Sequence, residues 1–141
     1  MRLKDDLFIQ KNTCMNVPAN LKYTRDHEWV LVEGNTATVG ITEFAQKQLG
    51  DIVFVEIPTI GKQITRGNDF GTIESVKSVS ELFIPLTGKI NTLNEDLIDS
   101  PDLINEDPYG EGWLIKMSID KKDELKELLS PDAYKKLIEA Q

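Results

Sequence analysis

A mainly β fold, a small sandwich or barrel with few helices, is what this sequence predicts. Three observations carry the prediction. Short runs rich in Val, Ile, Thr and Trp recur between Leu21 and Ile119. Gly, Pro or Asn punctuates them. Apolar residues keep a helical spacing in only two places, after Thr42 and after Leu125.

Taken in order, His27 to Glu33 (HEWVLVE) reads as a strand closed by a Gly34-Asn35 turn, and Thr36 to Ile41 (TATVGI) resumes it. Thr42 is placed to cap a short helix through its hydroxyl, with Phe44, Ala45 and Leu49 on one side and Gly50 at its end. Asp51 to Ile57 (DIVFVEI) is almost continuously apolar, which predicts a strand covered on both faces, stopped by Pro58. Asp69 to Val76, Val79 to Leu86, Lys89 to Leu93 and Gly112 to Ile119 complete the strands. At the C-terminus Leu125, Leu128 and Leu129 recur at helical spacing. Ser130-Pro131 then supplies an N-cap followed by proline at the first helical position, ahead of Tyr134, Leu137 and Ile138. These stripes read as packing faces, and Trp29 and Trp113 as core aromatics.

The chain repeats itself once. Ile57-Pro58-Thr59-Ile60-Gly61-Lys62 is echoed by Ile84-Pro85-Leu86-Thr87-Gly88-Lys89, with the stretch holding Lys77 between them. The echo suggests two strand–turn units related by an approximate two-fold, with a hairpin where they exchange.

Composition narrows the function. The length of 141 residues suits one domain, and 24 acidic against 16 basic side chains give a net charge of −8. That sign argues against nucleic acid and suits partners with basic surfaces. One cysteine, Cys14, and one histidine, His27, support neither a disulfide framework nor a typical transition-metal centre. Residues 1–14 lack the continuous apolar run of a signal peptide, and no later segment approaches membrane-spanning length. They read as an extension ahead of a start at Met15, with residues 15–141 as one domain, its C-terminal helices beginning at about residue 121, in a cytoplasmic monomer.

Lys77 stands between two strand-like halves in Gly71-Thr72-Ile73-Glu74-Ser75-Val76-Lys77-Ser78-Val79-Ser80-Glu81-Leu82. A turn there lifts its ammonium into water on a four-carbon stem, where a modifying enzyme could select it by position. Local composition by itself reads it as an ordinary solvated hairpin lysine.

The wider pattern changes that weighing. The run ESVKSVSE around Lys77 resembles the lipoyl-lysine site of glycine cleavage system H proteins. His27-Glu28-Trp29 resembles that family's HEW signature. Val39-Gly40-Ile41-Thr42, Ala45-Gln46, Leu49-Gly50, the strand IVFVEIP, Leu103-Ile104-Asn105, Asp107-Pro108-Tyr109-Gly110 and Gly112-Trp113-Leu114-Ile115-Lys116 follow in the family's order. The similarity spans about residues 16 to 140.

The resemblance implies a barrel-sandwich hybrid of two small sheets, with a C-terminal helical segment and the modified lysine at a hairpin tip. It implies lipoate in amide linkage to Lys77 and a carrier, not an enzyme. Such a carrier takes the aminomethyl unit from a pyridoxal-phosphate glycine decarboxylase to a tetrahydrofolate-dependent aminomethyltransferase, and electrons to dihydrolipoamide dehydrogenase. Lipoate-attaching enzymes are further partners. Chemistry of this kind belongs to cofactor and partners, while the carrier supplies position and protection. The resemblance assigns the holding of the loaded arm to Glu28 and Glu81. Asp26 stands where the family often has serine, and Glu74 is a candidate for recognition by the modifying enzyme. Rival readings are a lipoyl or biotinyl carrier of another complex and an H-like lipoyl relay. Val76 and Ser78 flank Lys77 where biotin carriers show methionines, which speaks against the biotin reading.

Overall fold

The computed structural model describes residues 15–141, so the N-terminal extension and Cys14 lie outside the described residues. Nine strands form two sheets. They are β1 (Lys22–Tyr23), β2 (Glu28–Glu33), β3 (Thr36–Ile41), β4 (Ile52–Glu56), β5 (Gln63–Ile64), β6 (Asp69–Ser75), β7 (Val79–Phe83), β8 (Gly88–Leu93) and β9 (Ile115–Ser118). One sheet runs β1-β2-β3-β9-β8-β5, the other β4-β6-β7, and every pairing is antiparallel. Neither sheet closes into a barrel. This is the mainly β, two-sheet architecture expected of a barrel-sandwich hybrid.

Strand alternation sorts the side chains of β2. Val30 and Val32 lie opposite Val39 and Ala37 and face the other sheet, where Phe70, Ile73 and Leu82 complete the main core. Trp29 and Leu31 face the opposite way, into a second cluster with Tyr23, Phe44, Tyr134 and Ile138. Gly34 takes φ 64° in the two-residue turn between Glu33 and Thr36, the positive angle that such a tight hairpin requires at its first position.

The echoed segments lie against each other. The Gly61 N–H donates to the Ile90 carbonyl at 2.8 Å, the Ile90 N–H to the Lys62 carbonyl at 3.1 Å, and Gln63 pairs with Lys89. Each echo leaves an edge strand of the three-stranded sheet, β4 or β7, and delivers the chain to neighbouring strands of the larger sheet. The repeat is therefore structural, and the β6–β7 hairpin sits between its two halves.

Helix α1 (Glu43–Leu49) starts at Thr42, whose Oγ1 accepts the Ala45 N–H at 3.2 Å, and stops at Gly50 with φ 83°. Helix α4 (Pro131–Glu139) starts at Ser130, whose Oγ accepts from the Ala133 N–H at 3.1 Å. It buries Tyr134 and Ile138 on the outer face of the six-stranded sheet, with Tyr134 stacked on Tyr23 at 4.7 Å between ring centroids.

Several expectations are corrected. The apolar run of β4 is not covered on both faces, because β4 is an edge strand and leaves Val53 and Phe54 47% and 51% exposed. Leu125 lies in a 3-10 helix (Lys122–Glu127), and Leu128 and Leu129 continue as extended chain, where Leu129 bridges Tyr23. The strand expected from Gly112 begins only at Ile115, and β7 ends at Phe83, not Leu86. Two one-turn helices, α2 (Asp96–Asp99) and α3 (Leu103–Glu106), are additional. Trp29 is buried, with its Nε1–H donating to the Pro108 carbonyl at 2.9 Å. Trp113 is only half-buried, with the Lys116 ammonium 5.0 Å from its ring.

Candidate functional site

Lys77 is at the tip of the β6–β7 hairpin and exposed. Neither Val76 nor Lys77 adopts positive φ, so the tip lacks the turn types that normally close a two-residue hairpin. Ser75 takes over that task. Its buried Oγ accepts the N–H groups of Ser78 (3.1 Å) and Lys77 (3.3 Å) and donates to the Ser78 carbonyl at 3.2 Å. A second tie comes from the end of α1, where the Asp51 carbonyl accepts the Val76 N–H at 3.0 Å. The stem of Lys77 passes Gly50 closely enough that a Cβ there would meet Cε at 3.6 Å.

Gly50 follows Leu49, and Leu49 is a wall of a cleft of about 150 Å³. Ile41, Ala45, Ile73 and Leu82 supply its other apolar walls, while Asp26, Glu28 and Glu81 line it with acid. The structure thus brings together three of the predicted site residues in one cleft, beside the shelf over which the lysine stem runs. Asp26 and Glu28 also line a second, larger cleft of about 290 Å³ on the side of Arg66 and Pro85.

The three acids differ. Glu28 shares the inward face of Val30 and is 2% exposed, which rules out an ordinary strand-edge charge. One carboxylate oxygen accepts the Phe83 N–H at 2.9 Å and the other the Thr24 hydroxyl at 3.2 Å. Burial pushes its pKa from 4.5 up to about 8; the Phe83 hydrogen bond opposes the rise, nearby Asp26 adds to it, and Thr24 opposes it more weakly. Glu81 is exposed on β7 opposite Thr72, which by strand alternation puts its side chain on the outer face and gives it the rim of the cleft. Asp26 is exposed in the turn before β2. Glu74 is outside the cleft, on the outer face between Phe54 and Val79.

The entry to β2 carries the one non-glycine residue with positive φ among the described residues, His27 at 69°. The Thr24 carbonyl accepts the His27 N–H at 3.1 Å and the Thr24 N–H donates to the Glu28 carbonyl at 3.0 Å, so His27 is the extra residue of a bulged turn. That bulge sets the phase of β2 and so turns Glu28 inward. His27 is held by Phe44, 4.8 Å between ring centroids, and by a 2.8 Å hydrogen bond between Nδ1 and the Tyr134 hydroxyl, and burial lowers its pKa. The same hydroxyl shares a 2.7 Å hydrogen bond with Thr42 Oγ1, the cap of α1. Tyr134 therefore couples the C-terminal helix to both the turn and the helix that frame the cleft.

Sequence reasoning missed Ser75, Tyr134 and Asn105 as supports. Asn105 accepts the Ile52 N–H at 2.8 Å and donates to Gly50 O and Gln46 Oε1, both at 2.9 Å, joining the end of α1 to the start of β4. A serine two residues before an exposed lysine was a readable turn signal for Ser75. The other two act across 92 and 53 residues of sequence and left no local sign.

Two antiparallel sheets thus raise one lysine on a braced hairpin beside an acid-lined cleft, in a fold of the lipoyl-domain type. The sequence matches the family model described as Glycine cleavage H-protein over residues 21–141. It is 56% identical over 123 residues to the glycine cleavage system H protein of Carboxydothermus hydrogenoformans, covering 87% of this chain and 95% of that protein. It is likewise 56% identical over 124 residues to that of Bacteroides thetaiotaomicron, covering 88% and 98%. Among solved structures, the glycine cleavage system H protein from Mycobacterium marinum aligns with a TM-score of 0.73 at 36% identity, covering 84% of this chain and 95% of that one. The chain belongs to the glycine cleavage H-protein family.

Proposed function

We propose that residues 15–141 form a lipoyl-carrier domain that bears lipoate in amide linkage on Lys77. The carrier is not itself catalytic. It takes a one-carbon amine unit from a glycine decarboxylase to an aminomethyltransferase and electrons to dihydrolipoamide dehydrogenase, in the cytoplasm. The observation that carries this reading is the shared wall: the stem of Lys77 crosses Gly50, and the next residue back, Leu49, lines the acid-bearing cleft. No helix among the described residues is long and apolar enough to cross a membrane.

When attached, lipoate supplies a dithiolane that accepts the one-carbon amine unit as its disulfide is reduced, and yields the electrons on reoxidation. The chain's own residues then have separable tasks. Ser75 and the Asp51 carbonyl hold the tip, so the arm pivots from a fixed point. Ile41, Leu49, Ile73 and Leu82 offer apolar walls to a folded-back arm and exclude water.

Glu28 handles charge. With a pKa near 8 its carboxyl is largely neutral at pH 7 while the cleft holds no cation. A primary ammonium brought beside it favours the carboxylate, so seating the cation ionises Glu28 and sends one proton to solvent. The paired ammonium keeps its proton, and its lone pair is unavailable to expel a neighbouring thiolate. Asp26 and Glu81, at the mouth, add to the field that favours a cation.

The test is the intact mass of protein isolated from its native cells, with peptide mapping from Ile73 to Leu82. A lipoyl-sized adduct on Lys77, absent from Lys77→Ala, supports the reading. A biotin-sized adduct would transfer the chain to the carboxylases, and an unmodified Lys77 in cells that lipoylate other proteins would overturn it.

A further inference from the structure

Four of the six large apolar side chains exposed among the described residues gather around Lys77. Val53 and Phe54 are 47% and 51% exposed on β4, and Val76 and Val79, either side of the lysine, reach 70% and 65%. The register explains how they meet. Phe54 is opposite Glu74, and Glu74 is opposite Val79, so these three form one cross-strand row on the outer face of the smaller sheet. A β-bulge between Ile52 and Phe54 re-aims β4, so that two consecutive apolar residues, Val53 and Phe54, both face water. The Val76 N–H bond to the Asp51 carbonyl ties the tip to the start of that same strand. Lysine and patch are thus parts of one braced surface.

We propose that this outer face, the row Phe54, Glu74 and Val79 with Glu56 and Glu81 beside it, is the docking surface for the enzyme that acylates Lys77. The proposal rests on the carrier reading above and deepens it. Reach selects the occupant. Partners that act on the far end of a long arm can meet it at arm's length from the hairpin. The attaching enzyme alone must bring its reactive centre to Lys77 Nζ, and its own surface must then cover the neighbours of that lysine. It must also choose one lysine among thirteen before any arm exists to be recognised. Charge fits the same occupant: Glu74 stands between Phe54 and Val79, and Glu56 and Glu81 share the face, so the complementary surface combines apolar with basic groups. Exposed apolar clusters of this kind mark interaction sites when they are rimmed by polar groups.

The ammonium loses one proton, Nζ attacks the acyl carbon of an acyl adenylate, and an amide C–N bond forms. The C–O bond to the phosphate breaks, AMP departs with its electron pair, and the second proton leaves the nitrogen.

The experiment follows acylation of Lys77 by a purified lipoate–protein ligase given lipoate and ATP, read by intact mass. Wild-type chain, Phe54→Ser, Val79→Ser, the double variant and Ile98→Ser are compared, Ile98 being 68% exposed elsewhere. In the double variant kcat/KM is expected to fall by about tenfold or more, chiefly through KM, with Ile98→Ser at the wild-type value. Melting temperatures and the rate of Lys77 acetylation by a small active ester are expected to stay unchanged.

Wild-type kinetics in the double variant would overturn the proposal, as would an equal slowing with the small ester, which would report on the tip itself. Three other results would reassign the patch. They are an equal loss with glycine decarboxylase after loading, a dimer of the wild type that the double variant lacks, and much faster modification of a chain shortened to residues 15–141. If the wild type takes no lipoyl group on Lys77, the carrier reading fails, and this proposal fails with it. That result is distinguishable from a wild type modified at the same rate as the double variant.

Discussion

The Glu28 carboxylate receives the backbone N–H of Phe83 at 2.9 Å, joining the first residue of β2 in one sheet to the last residue of β7 in the other. One side chain thus ties the two sheets together and lines the cleft.

That double role makes stability depend on pH. The folded pKa of about 8 is above the unfolded value of 4.5, so the folded protein binds more protons between the two. The contribution is complete below about pH 4.5 and is lost as pH rises through about 8. At 1.4 kcal/mol per pH unit between 4.5 and about 8, a change on the order of 5 kcal/mol is expected. Glu28→Gln keeps an acceptor for Phe83 and cannot ionise, so melting between pH 5 and 8.5 should show a steeper fall for the wild type. Parallel profiles would remove Glu28 as the source.

The same substitution separates attachment from protection. Glu28→Gln should be lipoylated at Lys77 at the wild-type rate, yet the amine-loaded protein should release formaldehyde several-fold faster, because the neutral amide cannot hold an ammonium as a carboxylate does. An unchanged release rate would leave Glu28 as an inter-sheet tie only.

Ser75→Ala removes three hydrogen bonds at the tip while leaving β6 and β7 paired. Amide exchange at Lys77 and Ser78 should quicken, and enzymatic acylation of Lys77 should slow several-fold through a higher KM. The cost in global stability should be about 1 kcal/mol. Unaltered exchange at these two amides would show that the hydroxyl does not brace the turn.

Tyr134→Phe deletes the hydroxyl that bridges His27 Nδ1 and Thr42 Oγ1. Denaturant unfolding should show a loss of about 1–3 kcal/mol, since the Thr42 side chain is buried. In NMR spectra the shifts should concentrate at the turn before β2 and the first turn of α1. Shifts confined to α4 would argue against the coupling.

Gly40 is opposite Trp29, and a Cβ there would meet the indole ring at 2.6 Å. Gly40→Ala should therefore displace Trp29 at a cost of about 1–3 kcal/mol, visible as a shifted tryptophan emission and a lowered melting temperature. Wild-type stability would mean that the strand yields at that point.

The sequence carried local signals faithfully. Alternation in β2 and β3, the Gly34 turn, the Thr42 and Ser130 caps and the lysine between two strand-like halves are each encoded within a few neighbouring residues. It erred where coverage decides the outcome. The run Ile52-Val53-Phe54-Val55 has the composition of a buried strand, but which faces are covered depends on where a strand falls in its sheet. Likewise Leu125, Leu128 and Leu129 keep a helical spacing, yet pairing with Tyr23 draws Leu129 into extended chain.

By itself, then, the sequence determined the strands, the turns, the caps, the exposed lysine and, through the pattern of HEW and ESVKSVSE, the family. Only the tertiary structure decided that Glu28 is buried against Phe83, that Glu81 reaches the cleft from its rim, and that an apolar face stands open beside Lys77. The reason is range. Hydrogen-bonded turns and alternation act over a few residues, whereas burial, and with it the ionisation of Glu28, is fixed by groups dozens of residues away that folding brings within 3 Å.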